Sequence, residues 1–490
     1  MSAKPDTPAA PGDLGRVRID RRPIWIILLE RSLRPAAFLL LAWAFIAVVR
    51  ATPPEGLTVS GLRALGVFGL CLVLWVTGLL PLAVTSLLAI ALVPLAGVLA
   101  PPEAYSLFGN EAIFFILGAF ILAAAMMRTG LSARLALGFL KRVGTSPRRL
   151  LGGVMSATAL TCFAMPSHAA AAMVFPIVLE VVRAMDLHAS RSRYAKALLL
   201  ACAWGAGIGS NLALVSSARA ALSIGFLTEA GAPGIPFGTW TLLAAPMVLV
   251  QLVAGMAVLL RFFPVDVDST APALEALQAR MKELGKVRWD ERLAGLVLLG
   301  AIAAWSYGGL QWGLANVAIV AGVALYVLRV LTWKDAEDYV NWGIFLLYGG
   351  AIALGAALDR SGAAAWLADR TLGAWIEAPW ALLASLSALS VVLSEGVSNS
   401  AVVAAIAPLA IALGRDFAMD PAIPVLAVTM PAGLAFAMPT ATPAMALAFS
   451  YGGLRVRDTL LPGLAADLVA WVIFLAMAFL WAPVAGYGLT

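Results

Sequence analysis

Charged residues make up only 12% of this 490-residue chain, about half the share found in soluble domains, and only two residues are histidine and three are cysteine. The shortage of charge excludes an ordinary soluble enzyme. The few cysteines and histidines form no cluster with metal-site spacing, and Cys71, Cys162 and Cys202 are predicted to be small buried apolar residues. What the chain has instead is 62% hydrophobic residues and a mean hydropathy of +0.93, which predict an all-α polytopic membrane protein.

Apolar windows of about 20 residues, the length that crosses a bilayer, predict where the chain spans the membrane. Eleven crossing helices are expected, at 35–50, 61–80, 83–100, 111–127, 197–226, 239–262, 293–307, 312–331, 341–358, 421–448 and 462–482. Two more apolar stretches, 150–185 and 379–414, are interrupted at 166–168 and 394–400. Each is predicted to be a re-entrant hairpin, which survives in a membrane only when protein buries it or it lines a wet cavity.

Basic residues predict the orientation. With segment 1–34 in the cytoplasm, 27 of the 33 lysines and arginines fall inside and 5 outside, and Arg219 remains within the membrane. This asymmetry follows the positive-inside rule and depends on both hairpins, because a single crossing in place of either would invert everything after it. The net charge of +6 therefore indicates orientation and not affinity for nucleic acid. We expect no cleaved signal peptide and a location in a bacterial inner membrane.

The chain contains an internal repeat at an offset of 232 residues. Residues 118–130 match 350–362 at seven of 13 positions, and 166–168 overlies 398–400, so the two hairpin breaks coincide. The distribution of basic residues places Arg128, at the end of the first copy, on the cytoplasmic side of the membrane. It places Arg360, at the end of the second copy, on the outer side, so the repeats are predicted to be inverted. Inverted repeats with broken helices are typical of secondary transporters, whose substrate site lies between the halves.

Each predicted hairpin is followed by an interrupted helix. Glycines and serines interrupt the first of these, 197–226, and prolines and threonines interrupt the second, 421–448. Such breaks expose amide donors that suit an anion and carbonyl oxygens that suit a cation.

At these residues the chain resembles the divalent anion:sodium symporter family, within the ion transporter superfamily, over residues 35–485. Members have a Ser-Asn-Thr tripeptide at each hairpin tip, about ten residues before a proline. The second hairpin matches with Ser398, Asn399 and Ser400 ahead of Pro408, and 439–444 resembles a second family motif. The first half departs, because its tripeptide position reads Pro-Ser-His and its later motif position reads Ser-Ala-Arg.

The resemblance implies a homodimer with elevator-like movement, a small anionic substrate and sodium as the coupled ion, with no organic cofactor. Substrate contacts are expected from Ser167, His168, Ser217, Arg219, Ser398, Asn399, Ser400, Thr442 and Pro443. A sodium site is expected in the second half, at Ser394, Val397, Asn399 and Ala441, whereas the first-half sodium site is in doubt.

The implied layout places scaffold helices around two repeat cores. The segments are 1–34 (cytoplasmic), 35–110 (scaffold), 111–238 (first repeat, with hairpin 150–185 and broken helix 197–226), 239–262 (last helix of the first half), 263–292 (cytoplasmic connector), 293–340 (scaffold), 341–460 (second repeat, with hairpin 379–414 and broken helix 421–448) and 461–490 (last helix).

Several polar residues allow two interpretations. Arg219, deep in a predicted span, either forms a structural ion pair or fixes an anionic substrate and replaces a missing sodium ion. His168 is either a satisfied polar residue or a group that contacts substrate or couples protons. Glu395 either clamps the hairpin backbone or ligates the ion. Asp467 is expected to be structural and to pair with a loop arginine.

The predicted function is secondary active transport of a small anion of the di- or tricarboxylate, sulfate or sulfonate class, coupled to sodium. Sodium-independent anion exchange and proton coupling remain open because the first half is atypical. A channel is disfavoured by the inverted repeat. An intramembrane enzyme is disfavoured because the chain has neither a Gly-x-Ser-x-Gly nor a His-Glu-x-x-His motif.

Overall fold

The computed structural model describes residues 24–370, 376–484 and 486–487, with side chains from residue 35 onward apart from position 310. Within these residues the chain is helical and has no β-strand, which confirms the all-α class. The described helices are α1 (Ile24–Arg50), α2 (Val59–Thr77), α3 (Leu82–Leu95), α4 (Pro101–Ser106), α5 (Glu111–Thr129), α6 (Leu131–Leu140), α7 (Pro147–Thr161), α8 (Ser167–Ala184), α9 (Arg193–Gly209), α10 (Ala218–Glu229), α11 (Phe237–Phe262), α12 (Ala271–Glu283), α13 (Trp289–Trp312), α14 (Leu314–Val327), α15 (Trp333–Tyr339), α16 (Trp342–Arg360), α17 (Ala363–Ala368), α18 (Pro379–Ser394), α19 (Asn399–Asp416), α20 (Ala422–Thr429), α21 (Pro443–Ser450) and α22 (Val456–Leu480).

The chain divides into two units, residues 1–50 and residues 51–490. The first contributes α1, whose apolar side chains stay exposed, with Leu39 at 72% and Trp43 at 68%. An exposed apolar helix surface suits a lipid environment. The second unit contains both repeats.

Seven helical segments of the described chain are long and apolar enough to cross a membrane. They are Val59–Thr77, Pro101–Thr129, Ser167–Ala184, Phe237–Phe262, Trp289–Gly309, Trp342–Arg360 and Val456–Leu480. Two predicted crossings, 83–100 and 312–331, were too long, because α3 and α14 have only 14 residues each. That is about 21 Å of helix, against a hydrocarbon core of about 30 Å. Gly97 (φ 71°) and Arg329 (φ 56°) lie just beyond their ends in the left-handed region, which a continuing helix does not use.

Both predicted hairpins are present, as α7–α8 and α18–α19. The residues before α8 and α19 have nearly the same backbone conformation, with φ −56° and ψ 141° at Pro166 and φ −52° and ψ 130° at Ser398. Both broken helices are present too, as α9–α10 and α20–α21. Ser217 (φ −149°, ψ 143°) and Thr442 (φ −142°, ψ 154°) precede their second parts. The repeat read from the sequence is therefore matched by repeated backbone geometry at all four breaks.

Repeat-related glycines allow close helix packing. A β-carbon on Gly118 of α5 would lie 2.5 Å from the Ala318 β-carbon of α14, and one on Gly350 of α16 would overlap the main chain of Ser86 in α3. Both contacts follow the small-residue packing of membrane helices, where removing side chains lets two backbones approach closely.

Gly350→Ala is expected to destabilise the protein by about 3 kcal/mol, because overpacking against a rigid backbone cannot relax as a side-chain contact can. Gly69→Ala in α2 is the matched control, since a β-carbon there meets no atom within 4 Å. Thermal unfolding of both purified variants in detergent measures the difference. Equal unfolding temperatures would contradict the packing argument.

Candidate functional site

Four helices begin at the hairpin tips and helix breaks. Helices α8 and α19 start after Pro166 and Ser398, and α10 and α21 start after Ser217 and Thr442. Only Thr442 caps its own helix, through a hydroxyl that accepts from the Met445 amide at 3.1 Å. The other three helices start without a side-chain cap. Helix N-termini carry partial positive charge and unsatisfied amides, so together they suit an anion.

A cavity of about 530 Å³ lies among these helix starts. All nine residues predicted to contact substrate line it, together with Ala441 of the predicted sodium site. The complete lining is Leu82, Ser167, His168, Ser217, Ala218, Arg219, Ile344, Ser398, Asn399, Ser400, Pro439, Thr440, Ala441, Thr442, Pro443 and Ala446. Residues more than 200 positions apart, taken from both repeats, therefore share one space.

Arg219 is 3% exposed and is bound to both repeats. Its Nε donates to the Thr429 carbonyl oxygen at 2.8 Å, and its Nη2 donates to Ser210 Oγ at 2.7 Å and Asn211 Oδ1 at 2.6 Å. Gly433 leaves the space for the guanidinium, because a β-carbon there would overlap Nη2. Among the described side chains no carboxylate forms an ion pair with Arg219. The described side chains thus give no support to the ion-pair interpretation, and Arg219 brings a positive charge to the cavity wall.

The second hairpin has two oxygens without partners. Ser394 Oγ and Asn399 Oδ1 are buried and have no hydrogen-bond partner in the described part of the chain. An unsatisfied buried acceptor costs roughly 1–3 kcal/mol, so this pair favours a ligand that it can bind. Hydroxyl and amide oxygens are the donors that hard cations prefer, and the donor set fits sodium. Val397 lies on the same hairpin tip, between α18 and α19, and Ala441 lines the cavity.

In the first half, the repeat counterparts of Ser394 and Asn399 are Cys162 and Ser167, and the side-chain oxygens just after α9 are occupied. Ser210 Oγ and Asn211 Oδ1 both accept from Arg219, and the Ser210 hydroxyl itself donates to the Gly207 carbonyl. Near this break, Ser217 Oγ is buried and has no hydrogen-bond partner among the described residues. The Arg219 guanidinium therefore occupies the side-chain oxygens of Ser210 and Asn211 and brings its own positive charge to this break.

The cavity also has contacts that the sequence analysis missed. Leu82 of α3 and Ile344 of α16 line it although they lie outside the motifs. The buried Tyr348 side chain, also on α16, lies beside Ser400 of the cavity lining and near Arg219. His168, which was predicted, lines the cavity and packs edge-on against Phe120, with ring centroids 6.1 Å apart. No local sequence pattern marks Leu82 and Ile344, which are ordinary side chains of apolar helices.

Two acidic side chains contact the unwound segment between α20 and α21. Glu395 accepts from the amides of Ala437 at 2.9 Å and Met438 at 2.7 Å. Asp467, 4% exposed, accepts from the Phe436 amide at 3.0 Å and not from a loop arginine, so that predicted pairing was wrong. An unwound segment in an apolar interior has free amides, and a buried carboxylate satisfies them. Glu395 therefore clamps the backbone of the broken helix, and the prediction that it clamps its own hairpin was wrong.

Comparison with known proteins gives one family. The family model described as the sodium:sulfate symporter transmembrane region matches residues 34–487. A sodium-dependent dicarboxylate transporter, SdcS, of Staphylococcus saprophyticus is 28% identical over 474 residues and covers 91% of each chain. SdcS of a bovine strain of Staphylococcus aureus is 27% identical over 459 residues and covers 88% of each chain.

A solved structure has a similar fold. The YdaH transporter of Alcanivorax borkumensis, described as having an unusual topology, matches with a TM-score of 0.50 and 16% identity. The match covers 78% of this chain and 87% of that one. At this identity the likeness concerns the fold alone.

Proposed function

The chain belongs to the sodium:sulfate symporter family and is a membrane transporter of small anions, not an enzyme, and we propose that it carries a dicarboxylate together with sodium. The cavity carries this proposal, because helix N-termini, hydroxyls and the Arg219 guanidinium surround one space of about 530 Å³. Such a lining binds negative charge. The names of the curated relatives favour a dicarboxylate over sulfate.

The two hairpin tips suit the two ends of a dicarboxylate. From the first repeat Ser167, His168 and Ser217 offer hydroxyl and imidazole donors to the cavity, and from the second repeat Ser398, Ser400 and Thr442 offer hydroxyls. Two donor sets in one cavity favour an elongated anion with charge at both ends. In this arrangement His168 contacts the substrate directly.

One sodium ion completes the charge balance. A dianion brings two negative charges, Arg219 supplies one positive charge, and a cation bound by Ser394, Asn399 and the carbonyl groups of Val397 and Ala441 supplies the second. In the first half the guanidinium stands in for a second ion, because it occupies the oxygens of Ser210 and Asn211.

The repeat cores would move as a body past the remaining helices, in a homodimer of the bacterial inner membrane with the N-terminus in the cytoplasm. Ion pairs cross from the scaffold segments to the repeats, between Asp335 and Arg128 at 3.0 Å and between Glu103 and Arg360. Pairs that are 20–41% exposed are weak and can break during such a movement.

Uptake into proteoliposomes tests the proposal. Labelled succinate, citrate, sulfate and a sulfonate are each supplied with an inward sodium gradient, with choline replacing sodium, and with anion loaded inside. We expect succinate to accumulate with sodium and uptake to fall at least about tenfold with choline, since each tenfold step needs only about 1.4 kcal/mol of coupling.

Sodium-independent exchange is the second candidate, and the filled first-half site favours it. Uptake that ignores sodium but is accelerated by internal anion would establish exchange and contradict symport. Uptake that follows an inward proton gradient with choline outside would establish proton coupling. Sulfate uptake without succinate uptake would contradict the proposed substrate.

A further inference from the structure

The unwound segment 434–442 has its polar backbone satisfied by side chains from three other elements. The Phe436 amide donates to Asp467 of α22, and its carbonyl accepts from Trp204 of α9 at 3.2 Å. The Ala437 carbonyl accepts from Thr459 of α22 at 2.7 Å. The remaining contacts come from Glu395. Phe436 and Ala437 are buried, so their backbone groups have no water to bond, and these contacts determine where the segment lies.

Glu395 makes three of the contacts. Its two carboxylate oxygens accept from the adjacent amides of Ala437 and Met438, and its carbonyl accepts from the Thr440 hydroxyl at 3.2 Å. It therefore connects the tip of the second hairpin to the segment that continues into the cavity wall. Hydrogen bonds to a carboxylate are roughly twice as strong as neutral ones.

This connection joins the two sides of the candidate sodium site. Ser394 immediately precedes Glu395 on the hairpin, and Asn399 follows four residues later. On the other side, Ala441 lies three residues after Met438, and its amide donates to the Met438 carbonyl at 3.2 Å. A change in the Glu395 contacts would therefore alter the separation between the hairpin oxygens and the Ala441 carbonyl.

In the described part of the first half, no acidic side chain makes such a contact. The residue 232 positions before Glu395 is Phe163, which has no acceptor in its side chain. There the break is bound by Arg219 and by Trp240, whose Nε1 donates to the Asn211 carbonyl at 2.8 Å. The acidic contact thus occurs only in the half whose hairpin oxygens lack partners.

We propose that Glu395 is a positioning residue for sodium: it fixes the hairpin tip relative to segment 437–441 and thereby determines sodium affinity without ligating the ion. This inference rests on the proposed sodium coupling. Asp467 lies next to Glu395 and satisfies the neighbouring Phe436 amide, so it belongs to the same group of contacts.

Sodium-dependent thermal stabilisation of the purified protein measures the effect without transport. Glu395→Gln leaves one acceptor for two amide donors, and we expect the sodium concentration for half-maximal stabilisation to rise at least about tenfold. Succinate affinity at saturating sodium should change less than about threefold, since no substrate contact is lost. Thr459→Val is the matched control, because it removes a bond to the same segment, at the Ala437 carbonyl, and leaves the connection between the segment and the hairpin in place.

The outcomes separate the inference from the function it rests on. An unchanged sodium requirement in Glu395→Gln, with the wild type stabilised by sodium, would overturn the positioning role and leave symport intact. An equal loss in Thr459→Val would also overturn it, since any bond to the segment, and not its connection to the hairpin, would then matter. A wild type stabilised by succinate but never by sodium would remove the sodium proposal and this inference with it. If Glu395→Gln does not fold, Glu395→Asp serves, and it should raise the sodium requirement while succinate affinity at saturating sodium is retained.

Discussion

Arg219→Ala should abolish accumulation of the anion by the transporter. The substitution removes the one guanidinium among the described lining residues and leaves the Thr429 carbonyl, Ser210 Oγ and Asn211 Oδ1 without their donor. Truncating one partner of a buried charged network costs roughly 3–5 kcal/mol, which corresponds to more than about 100-fold in affinity. Succinate affinity, measured by uptake and by thermal stabilisation at saturating sodium, gives the size of the loss.

Two further variants show whether charge or geometry matters at this position. Arg219→Lys keeps the charge but cannot reach three separate acceptors in a fixed fork, so it should recover only part of the affinity. Arg370→Ala removes a distant arginine that lies over the Trp366 ring, and it should leave uptake unchanged. Transport by Arg219→Ala at unchanged affinity would contradict the role assigned to the guanidinium.

The second large effect is expected at Asn399, and it should differ from the effect at its repeat counterpart, Ser167. Asn399→Ala removes an oxygen of the candidate sodium site, so the sodium concentration for half-maximal uptake should rise at least about tenfold. Ser167 belongs to the first repeat, which also contains Arg219. Ser167→Ala should raise the KM for succinate while the sodium dependence stays as in the wild type.

Sodium titrations of uptake at fixed succinate, and succinate titrations at fixed sodium, separate the two effects. Ser400→Ala is a control on the same hairpin, one residue from Asn399, which should alter the succinate KM alone. Equal changes in sodium dependence for Asn399→Ala and Ser167→Ala would mean that both halves bind the ion, and the assignment of a single site would fail.

The breaks in the helices were predictable from sequence because they interrupt strongly apolar stretches. In a chain with 62% hydrophobic residues, the run 394–400 stands out as a cluster of polar and small residues, and so does 439–443. The repeat offset then paired the breaks with each other. Since a cavity forms where broken helices meet, the residues at the breaks were also the residues that line it.

Contacts between a side chain and a distant backbone could not be predicted in this way. The acceptor for Arg219 Nε is the carbonyl of Thr429, 210 positions away, and every residue type has such a carbonyl. Asp467 likewise bonds the Phe436 amide, for which the sequence has no signal. Leu82 and Ile344 reach the cavity only through helix packing, and the shortness of α3 depends on where its backbone turns, beyond the reach of hydropathy alone.

The position of Arg219 also has a mechanical consequence. Its guanidinium connects Ser210 and Asn211 of the first repeat to Thr429 of the second. Trp204 makes a second connection between the repeats by donating to the Phe436 carbonyl. If the two repeats rotated apart about a hinge, these hydrogen bonds would break, and their buried donors and acceptors would have no replacement partner. We therefore expect the two repeats to move together as one rigid body, with the hydrogen bonds of Arg219 holding one repeat to the other.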